Sequence, residues 1–397
     1  MKTHWIHLLA CPQCQGSLDQ ETFQPSELLA REGILICKSC SSWFPIKGGI
    51  ARLLVPGPLR HDDEAFLKKW RIRRPGPWIR RIKARSFKQP QAGSDAARQV
   101  QAQVQKVFEF KWKRQKNWGL QGGSADFMEK WMFTKYGWRS QKGYESSIRK
   151  HHVLLDAGCG LGREALRMAR AHPQGLVVGL ELSACVEEAK QHADEQRLSN
   201  LLFVQGDLMS PPFRKSTFDF ILSEGVLHHT PDTEAAFRRL SRLIRPHGEF
   251  AFYVYRKKAP LREFADDYVR SQLQNIPLEE AWKMMEPLTL FGKTMAESSI
   301  RISIPKDIPV LGFKQGKYDL QRWIYNALFK CFWNDAMSFQ ENVLINFDWY
   351  LPRYAWRHSE DQIRRWIAGE NMTLSQEFVE DAGITVRAIK ENRGVRS

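Results

Sequence analysis

A glycine-rich turn between a strand and a helix constrains this chain more than any other feature. Residues 153–156 form an apolar run that ends in an acid, and residues 163–169 have the apolar spacing of a helix. Between them stand Gly158, Gly160 and Gly162, which let the backbone turn sharply and approach a ligand without a Cβ in the way. Glycines in this context predict a nucleotide-type site in an α/β sheet, and a dinucleotide is one ligand that would fit.

Strand and helix patterns alternate after this turn, as in a doubly wound sheet. Three of the later strand patterns end beside polar residues, at Glu181, at Asp207 and at the pair Ser223 and Glu224. Glu181 follows Asp156 by about 25 residues, and an acid at that place suits the two hydroxyls of a ribose. The strand patterns after the turn occupy 176–180, 201–204, 218–222 and 249–255.

Residues 150–255 resemble the class I S-adenosylmethionine-dependent methyltransferases, in particular the branch called type 11. The resemblance rests on five landmarks that occur in order, and the chain departs from the usual pattern at Glu181, where Asp is commoner, and at His247, where glycine is usual. It implies an α/β fold with a Rossmann-like, largely parallel sheet of seven strands and helices on both faces. The landmarks are the 156–162 loop, Glu181, Asp207-Leu208, residues 226–229 and the 246–248 turn.

The resemblance also implies which residues bind S-adenosylmethionine. They lie at the carboxyl ends of the strands, where ligands bind in such sheets. The residues are Asp156, Gly158 and Gly160 beside the methionine part, Glu181 at the ribose with Leu182 next in sequence, Asp207 and Leu208 at the adenine, and Ser223 and Glu224 near the sulfonium.

Two histidines after the fourth of these strands are the candidate bases. Methyl transfer needs a base only when the attacking atom must lose a proton, and a histidine can accept one near neutral pH. His228 is the first candidate and His229 the second. The alternative is that these rings only pack against the core or cap a helix.

Four cysteines near the N-terminus predict a structural zinc site. Cys11 and Cys14 form one Cys-x-x-Cys pair, and Cys37 and Cys40 form another. Two such loops close a tetrahedral site of four thiolates that leaves no open position for catalysis. The segment resembles the small zinc-ribbon domains that include activator subunits of tRNA and release-factor methyltransferases. Thiols without a metal and a redox pair are the alternatives.

Composition divides the chain into three regions. Residues 1–56 carry the zinc ribbon, 57–150 form a basic, Trp-rich linker with lid helices, and 151–397 form the methyltransferase domain. A helical insertion at about 256–358 follows the fifth strand of that domain and is expected above the cofactor edge, with a helix over 321–337. Two final strands are expected near 375–380 and 384–390.

The charge is concentrated in the linker. The chain has a formal net charge of +16, and the segment from Arg60 to Lys116 contains 17 basic and 5 acidic residues. Arginines interleaved with Trp and Ile fit an RNA backbone, an anionic membrane surface or a solvated connector. No apolar run reaches 18 residues, so we expect no membrane-spanning segment and a cytoplasmic protein, with the inner membrane face as a place of contact.

The first functional prediction is methyl transfer to a small-molecule, glycan or lipid-linked acceptor. The aromatic insertion and the pattern at 347–366 favour it. The alternative is an RNA methyltransferase that holds rRNA or tRNA with the zinc ribbon and the basic arm. A protein that binds the cofactor without catalysis is a third candidate. The sequence indicates no oligomeric state.

Overall fold

One mixed sheet of eleven strands runs through the described part of the chain. The computed structural model describes residues 1–23, 30–55, 66, 69, 95–116, 118–120 and 122–392. In spatial order the strands are β1 (Leu18–Thr22), β2 (Gly33–Cys37), β3 (Trp43–Lys47), β4 (Ile50–Leu53), β7 (Leu201–Gly206), β6 (Leu176–Glu181), β5 (Val153–Ala157), β8 (Phe218–Glu224), β9 (Ile244–Tyr255), β13 (Gly383–Lys390) and β12 (Met372–Val379).

The seven strands from β7 to β12 form the predicted Rossmann-like sheet. Strands β5 to β9 are parallel, whereas β13 runs antiparallel to β9. Leu154 packs into the core on one face and Leu155 into the core on the other, and both are fully buried. The strands are continuously apolar because both faces are covered. His247 has a φ of +64°, the left-handed conformation that glycine adopts most easily.

Helices cover both faces of this sheet. One face carries α3 (Gln141–Ile148), α4 (Arg163–Ala171) and α5 (Val186–Glu195). The other carries α6 (Thr233–Ser241) and α11 (Glu360–Gly369). These two layers leave the carboxyl edge of the parallel strands to be covered by other segments, and this is the edge where the sequence predicts a ligand.

The zinc ribbon extends the sheet. Strand β4 pairs in parallel with β7, with Ala51 opposite Val204 and Leu53 opposite Gly206. Arg52 strengthens the junction, because its guanidinium donates to Gln205 at 2.9 Å and pairs with Glu187 at 2.6 Å. The sheet has more strands than the predicted seven because the ribbon covers what would otherwise be an edge strand.

The insertion after β9 is mostly helical. It holds α7 (Pro260–Leu273), α8 (Leu278–Glu297), the hairpin of β10 (Arg301–Ile304) and β11 (Gly316–Asp319), α9 (Leu320–Ala327) and α10 (Phe339–Tyr350).

The predicted helix over 321–337 is wrong in length, since α9 ends at Ala327. Side chains of α10 hold the segment that follows it. Asn346 accepts from the Phe332 backbone N–H at 2.7 Å, and Asn342 accepts from the Asn334 N–H at 2.8 Å. These bonds satisfy the backbone without a helix, which local periodicity cannot reveal.

Two helices before β5 reach the carboxyl edge. They are α1 (Asp95–Arg114) and α2 (Gly122–Lys135), both within the 57–150 region in which lid helices were predicted. Most of the basic linker between 56 and 94 lies outside the described residues. Within the described part of the chain, no helix combines the length and apolar character needed to cross a membrane.

Candidate active site

The glycine loop leaves β5 in a conformation that requires glycine. Gly158 has a φ of +87°, and a Cβ there would lie 2.4 Å from a methyl of Val226. Gly160 has a φ of +52°. The Asp156 carboxylate accepts from the Ala165 backbone N–H at 2.9 Å and so holds the first turn of α4 against the loop. Burial raises the pKa of Asp156 well above its usual value.

Two acids at the ends of β6 and β7 stand beside this loop. Glu181 accepts from the backbone N–H of Gly160 at 3.0 Å and from that of Ser183 at 2.8 Å, which fixes its carboxylate across the turn. Asp207 accepts from the Met209 N–H at 2.8 Å. Both acids line one cavity, together with Leu182, Leu208 and the glycine loop.

The cavity has a volume of about 590 Å³ and two chemically different sides. We call the part lined by Asp156, Gly158, Gly160, Glu181, Leu182, Asp207 and Leu208 the loop side. We call the part lined by Tyr253, Tyr255, Tyr325, Lys330, Phe332 and Asp348 the insertion side.

Of the two residues predicted near the sulfonium, only one lines the cavity. The Ser223 hydroxyl is fully buried and donates to the Ala157 carbonyl at 3.0 Å, so Ser223 supports the loop without lining the cavity. Glu224 does line the cavity. It forms an ion pair with Lys135 and accepts from the Tyr136 hydroxyl at 2.7 Å.

Lys135 is a buried cation beside the cavity that the sequence patterns did not indicate. Its side chain is completely buried, and its ammonium lies 3.3 Å from the centre of the Trp131 ring and 4.2 Å from that of Tyr253. Burial lowers the pKa of Lys135, and Glu224 opposes that shift. The only local signal was a lysine four residues after a tryptophan on one helix.

The structure places the two candidate histidines differently with respect to the cavity. His228 stacks on Tyr255 with ring centres 3.7 Å apart and does not line the cavity. His229 lines it, and its Nδ1 lies 2.7 Å from the Tyr354 carbonyl. Among the described residues its Nε2 has no hydrogen-bond partner. Burial lowers the pKa of His229 to about 4, so the ring is neutral at pH 7.

Helix α1 closes the cavity from above. A Cβ on Gly160 would lie 3.3 Å from the Trp112 ring, so Trp112 covers the glycine loop. Phe108 meets the His229 ring edge to face, with centres 5.2 Å apart. The carboxylate of Glu109 accepts from the Ala184 N–H at 3.1 Å, and Lys111 pairs with Asp348 at 2.6 Å. The helix therefore contacts both sides of the cavity.

The four N-terminal cysteines form a separate cluster. Their sulfurs all lie within 4.8 Å of one another, with Cys11 and Cys40 3.7 Å apart and Cys14 and Cys37 3.5 Å apart. Zn–S bonds of about 2.3 Å in a tetrahedron require sulfurs about 3.8 Å apart. The Cys40 backbone N–H also donates to the Cys37 sulfur at 3.5 Å. The donor set and geometry fit a structural zinc.

Comparison with protein families identifies two domains in the chain. A family model described as methyltransferase domain matches residues 148–297, and one described as Trm112p-like protein matches residues 6–49. The chain contains a methyltransferase domain preceded by a Trm112p-like zinc ribbon. The match to the methyltransferase domain begins just before the glycine loop and continues into the insertion.

The methyltransferase domain has relatives with known names. A sterol 24-C-methyltransferase of Saccharomyces cerevisiae is 32% identical over 114 residues, which are 28% of this chain and 30% of the yeast protein. A 27-O-demethylrifamycin SV methyltransferase of Amycolatopsis mediterranei is 36% identical over 106 residues, 26% of this chain and 39% of the relative. The chain thus spans less than half the length of these relatives.

Among solved structures, a magnesium protoporphyrin IX methyltransferase from Synechocystis with bound S-adenosylmethionine is similar over 76% of this chain and 99% of its own. The sequences are 14% identical and the TM-score is 0.39.

Proposed function

We propose that the chain is an S-adenosylmethionine-dependent methyltransferase that methylates a small-molecule, glycan or lipid-linked acceptor. One observation carries the proposal: the glycine loop and its two acids open into the same covered cavity as an aromatic chamber formed by β9 and the insertion. That cavity is within the size range of small-molecule sites.

The residues of the loop side fit this cofactor. Gly225, which lines the cavity, has a φ of +72°, and a Cβ there would meet no atom within 4 Å, so its surface faces open space. Glu181 has carboxylate lone pairs left beyond its two backbone bonds, and these suit ribose hydroxyls. Asp207 would accept from the adenine amine, while Leu182 and Leu208 give apolar contacts. The cofactor supplies an activated methyl group on its sulfonium.

The protein's own residues then align and deprotonate the acceptor. Trp112 and Phe108 exclude water above the loop, which favours in-line approach of the reacting atoms. Neutral His229 accepts the acceptor's proton at Nε2, because Nδ1 donates to the Tyr354 carbonyl and fixes that tautomer. Lys135 holds Glu224 in place at the boundary between the two sides.

The proposal is tested by turnover on a cell extract with methyl-labelled S-adenosylmethionine. The extract is separated into RNA, lipid and small-molecule fractions before counting. We expect label in the lipid or small-molecule fraction. Label in RNA alone would replace this proposal with the RNA alternative, and binding of the cofactor without label in any fraction would favour a non-catalytic protein.

A matched pair of variants tests the base. His229→Phe should lower turnover by about 100-fold or more while leaving binding of S-adenosylhomocysteine intact. His228→Phe keeps an aromatic ring on Tyr255 and should retain most of the activity. Equal losses in both variants would show that His229 only packs.

A further inference from the structure

A lysine without an acid partner lines the insertion side of the cavity. The Lys330 side chain is only 6% exposed, yet it borders the cavity. Its ammonium lies 4.7 Å from the centre of the Trp349 ring, 5.7 Å from that of Phe332 and 5.8 Å from that of Tyr325. Aromatic faces partly compensate a buried cation, but they do not neutralise it.

The carboxylates nearest to Lys330 have other partners. Asp266 is fully buried and forms an ion pair with Arg262 at 2.5 Å. It also accepts from the Trp349 indole at 2.9 Å and from the Tyr350 hydroxyl at 3.2 Å. Its only bond to Lys330 comes from the backbone N–H, at 3.3 Å.

The second acid, Asp348, is held by Lys111 at 2.6 Å. Within the described residues no carboxylate forms an ion pair with the Lys330 ammonium. Arg262 therefore already compensates Asp266, and Lys111 already compensates Asp348, so neither acid is left to neutralise Lys330. Lys258 lies beside Asp381 and donates to its backbone carbonyl.

We infer that the methyl acceptor carries an anionic group, a carboxylate or a phosphate, that pairs with Lys330 while the rest of the acceptor lies against the aromatic rings of the insertion side. This inference rests on the proposed methyl transfer. A ligand anion would supply the missing negative charge, and buried charge-assisted pairs of this kind are strong. Arg322 also lines the cavity, as do the acids Glu380 and Asp381, which accept hydrogen bonds from the Trp131 indole and the Asn326 amide.

The pKa of Lys330 provides a readout that a purely structural lysine would not give. Burial, together with Arg262 and Lys111, lowers the pKa of Lys330 to about 7 against the opposing charges of Asp348 and Asp266. A bound anion would raise this pKa, so binding above pH 7 takes up a proton. Affinity for the anion should then fall about tenfold per unit as the pH rises above 7.

The test is calorimetric titration of the full chain loaded with S-adenosylhomocysteine. The probes are phenylacetate and phenyl phosphate, each compared with an uncharged counterpart, methyl phenylacetate and phenol. We expect at least one charged probe to bind about tenfold tighter or more than its counterpart, with proton uptake above pH 7. The preferred charged probe distinguishes a carboxylate from a phosphate.

Three variants test whether Lys330 causes the preference for the charged probes. Lys330→Met should abolish it, Lys330→Arg should keep it, and Lys283→Met, an exposed lysine of the same insertion, should leave it unchanged. Lys330→Met removes an unpaired buried cation, so the melting temperature of this variant should not fall below that of the unchanged protein. If it does fall, Lys330→Arg still tests the inference independently. Equal affinities of charged and uncharged probes, or a preference that survives Lys330→Met, would overturn the inference.

Titration with S-adenosylhomocysteine alone separates this inference from the proposed function. If that ligand binds but no anion preference exists, only the inference fails. If it does not bind while Lys330 still selects anions, the proposed methyl transfer fails and the anion site stands.

Discussion

The loop side and the insertion side of the cavity are built in opposite ways. On the loop side, backbone conformation and carboxylates bonded to backbone N–H groups shape the surface, as at Gly158 and Glu181. On the insertion side, long side chains from distant segments do so, as Lys111 does with Asp348, 237 residues later. A surface made by backbone suits one unchanging ligand, whereas one made by side chains can be adapted to different acceptors.

The zinc ribbon should support the loop side, because β4 continues the sheet next to β7, whose carboxyl end leads to Asp207. Removing the metal by chelation or by Cys37→Ser should lower the free energy of unfolding by several kcal/mol. Metal analysis and urea unfolding measure the two effects. Cys331→Ala, in the insertion, should keep about one zinc per chain. Equal metal in both variants would contradict the zinc site.

Lys135 joins the two sides, since it pairs with Glu224 while lying against Tyr253. Lys135→Met leaves the Glu224 carboxylate buried without its cation and should cost about 3–5 kcal/mol in urea unfolding. Adding Glu224→Gln should restore much of that loss, whereas Lys142→Met, at an exposed position, should change little. A double variant no more stable than Lys135→Met would mean that the lysine acts only by packing.

Acid should affect two buried histidines and the loop-side acid Asp156 with opposite sign. Burial lowers the pKa of both His229 and His358 to about 4. The unfolded rings bind a proton near pH 6.5, so each ring costs stability as the pH falls below 6.5, by about 3 kcal/mol at pH 4. Asp156 on the loop side has a raised pKa, so its folded form binds a proton more readily and gains stability as the pH falls.

Denaturant unfolding of His358→Phe from pH 7 to pH 4 measures the effect of one of these histidines, whose ring packs against Trp366. The stability of this variant relative to the unchanged protein should rise over that range. An unchanged difference would show that the ring of His358 is protonated in the folded protein or already solvated.

Substitution of Glu181 should have the smallest of these effects, and it should affect only the loop side. Glu181→Gln should weaken binding of S-adenosylhomocysteine by about tenfold or more, because a charged acceptor of hydrogen bonds is lost. Glu195→Gln, on the exposed end of α5, is the matched control. Calorimetry measures both, and unchanged affinity in Glu181→Gln would mean that the acid serves only its bonds to Gly160 and Ser183.

The sequence predicted the loop side of the cavity better than the insertion side. The β5 turn and the acids after β6 and β7 were predicted because each signal lies within a few residues of chain. The cysteine pairs were predicted for the same reason, and the structure brings them within 4.8 Å. The roles of the individual cofactor residues stay predictions.

Long-range packing decided what the local patterns could not. The end of α9 at Ala327 depends on Asn342 and Asn346, and the exclusion of His228 from the cavity depends on its stack with Tyr255.

The amino-acid sequence by itself determined the strand and helix patterns, the glycine loop and the paired cysteines, because each of these signals lies within a short stretch of chain, and the resemblance to a known family added the order of the seven strands. Only the tertiary structure decided that the ribbon extends the sheet, that Lys135 holds Glu224 and that Lys330 faces the cavity without an acid. Those features arise where segments far apart in the chain meet, and the energy of a buried charge depends on everything that surrounds it.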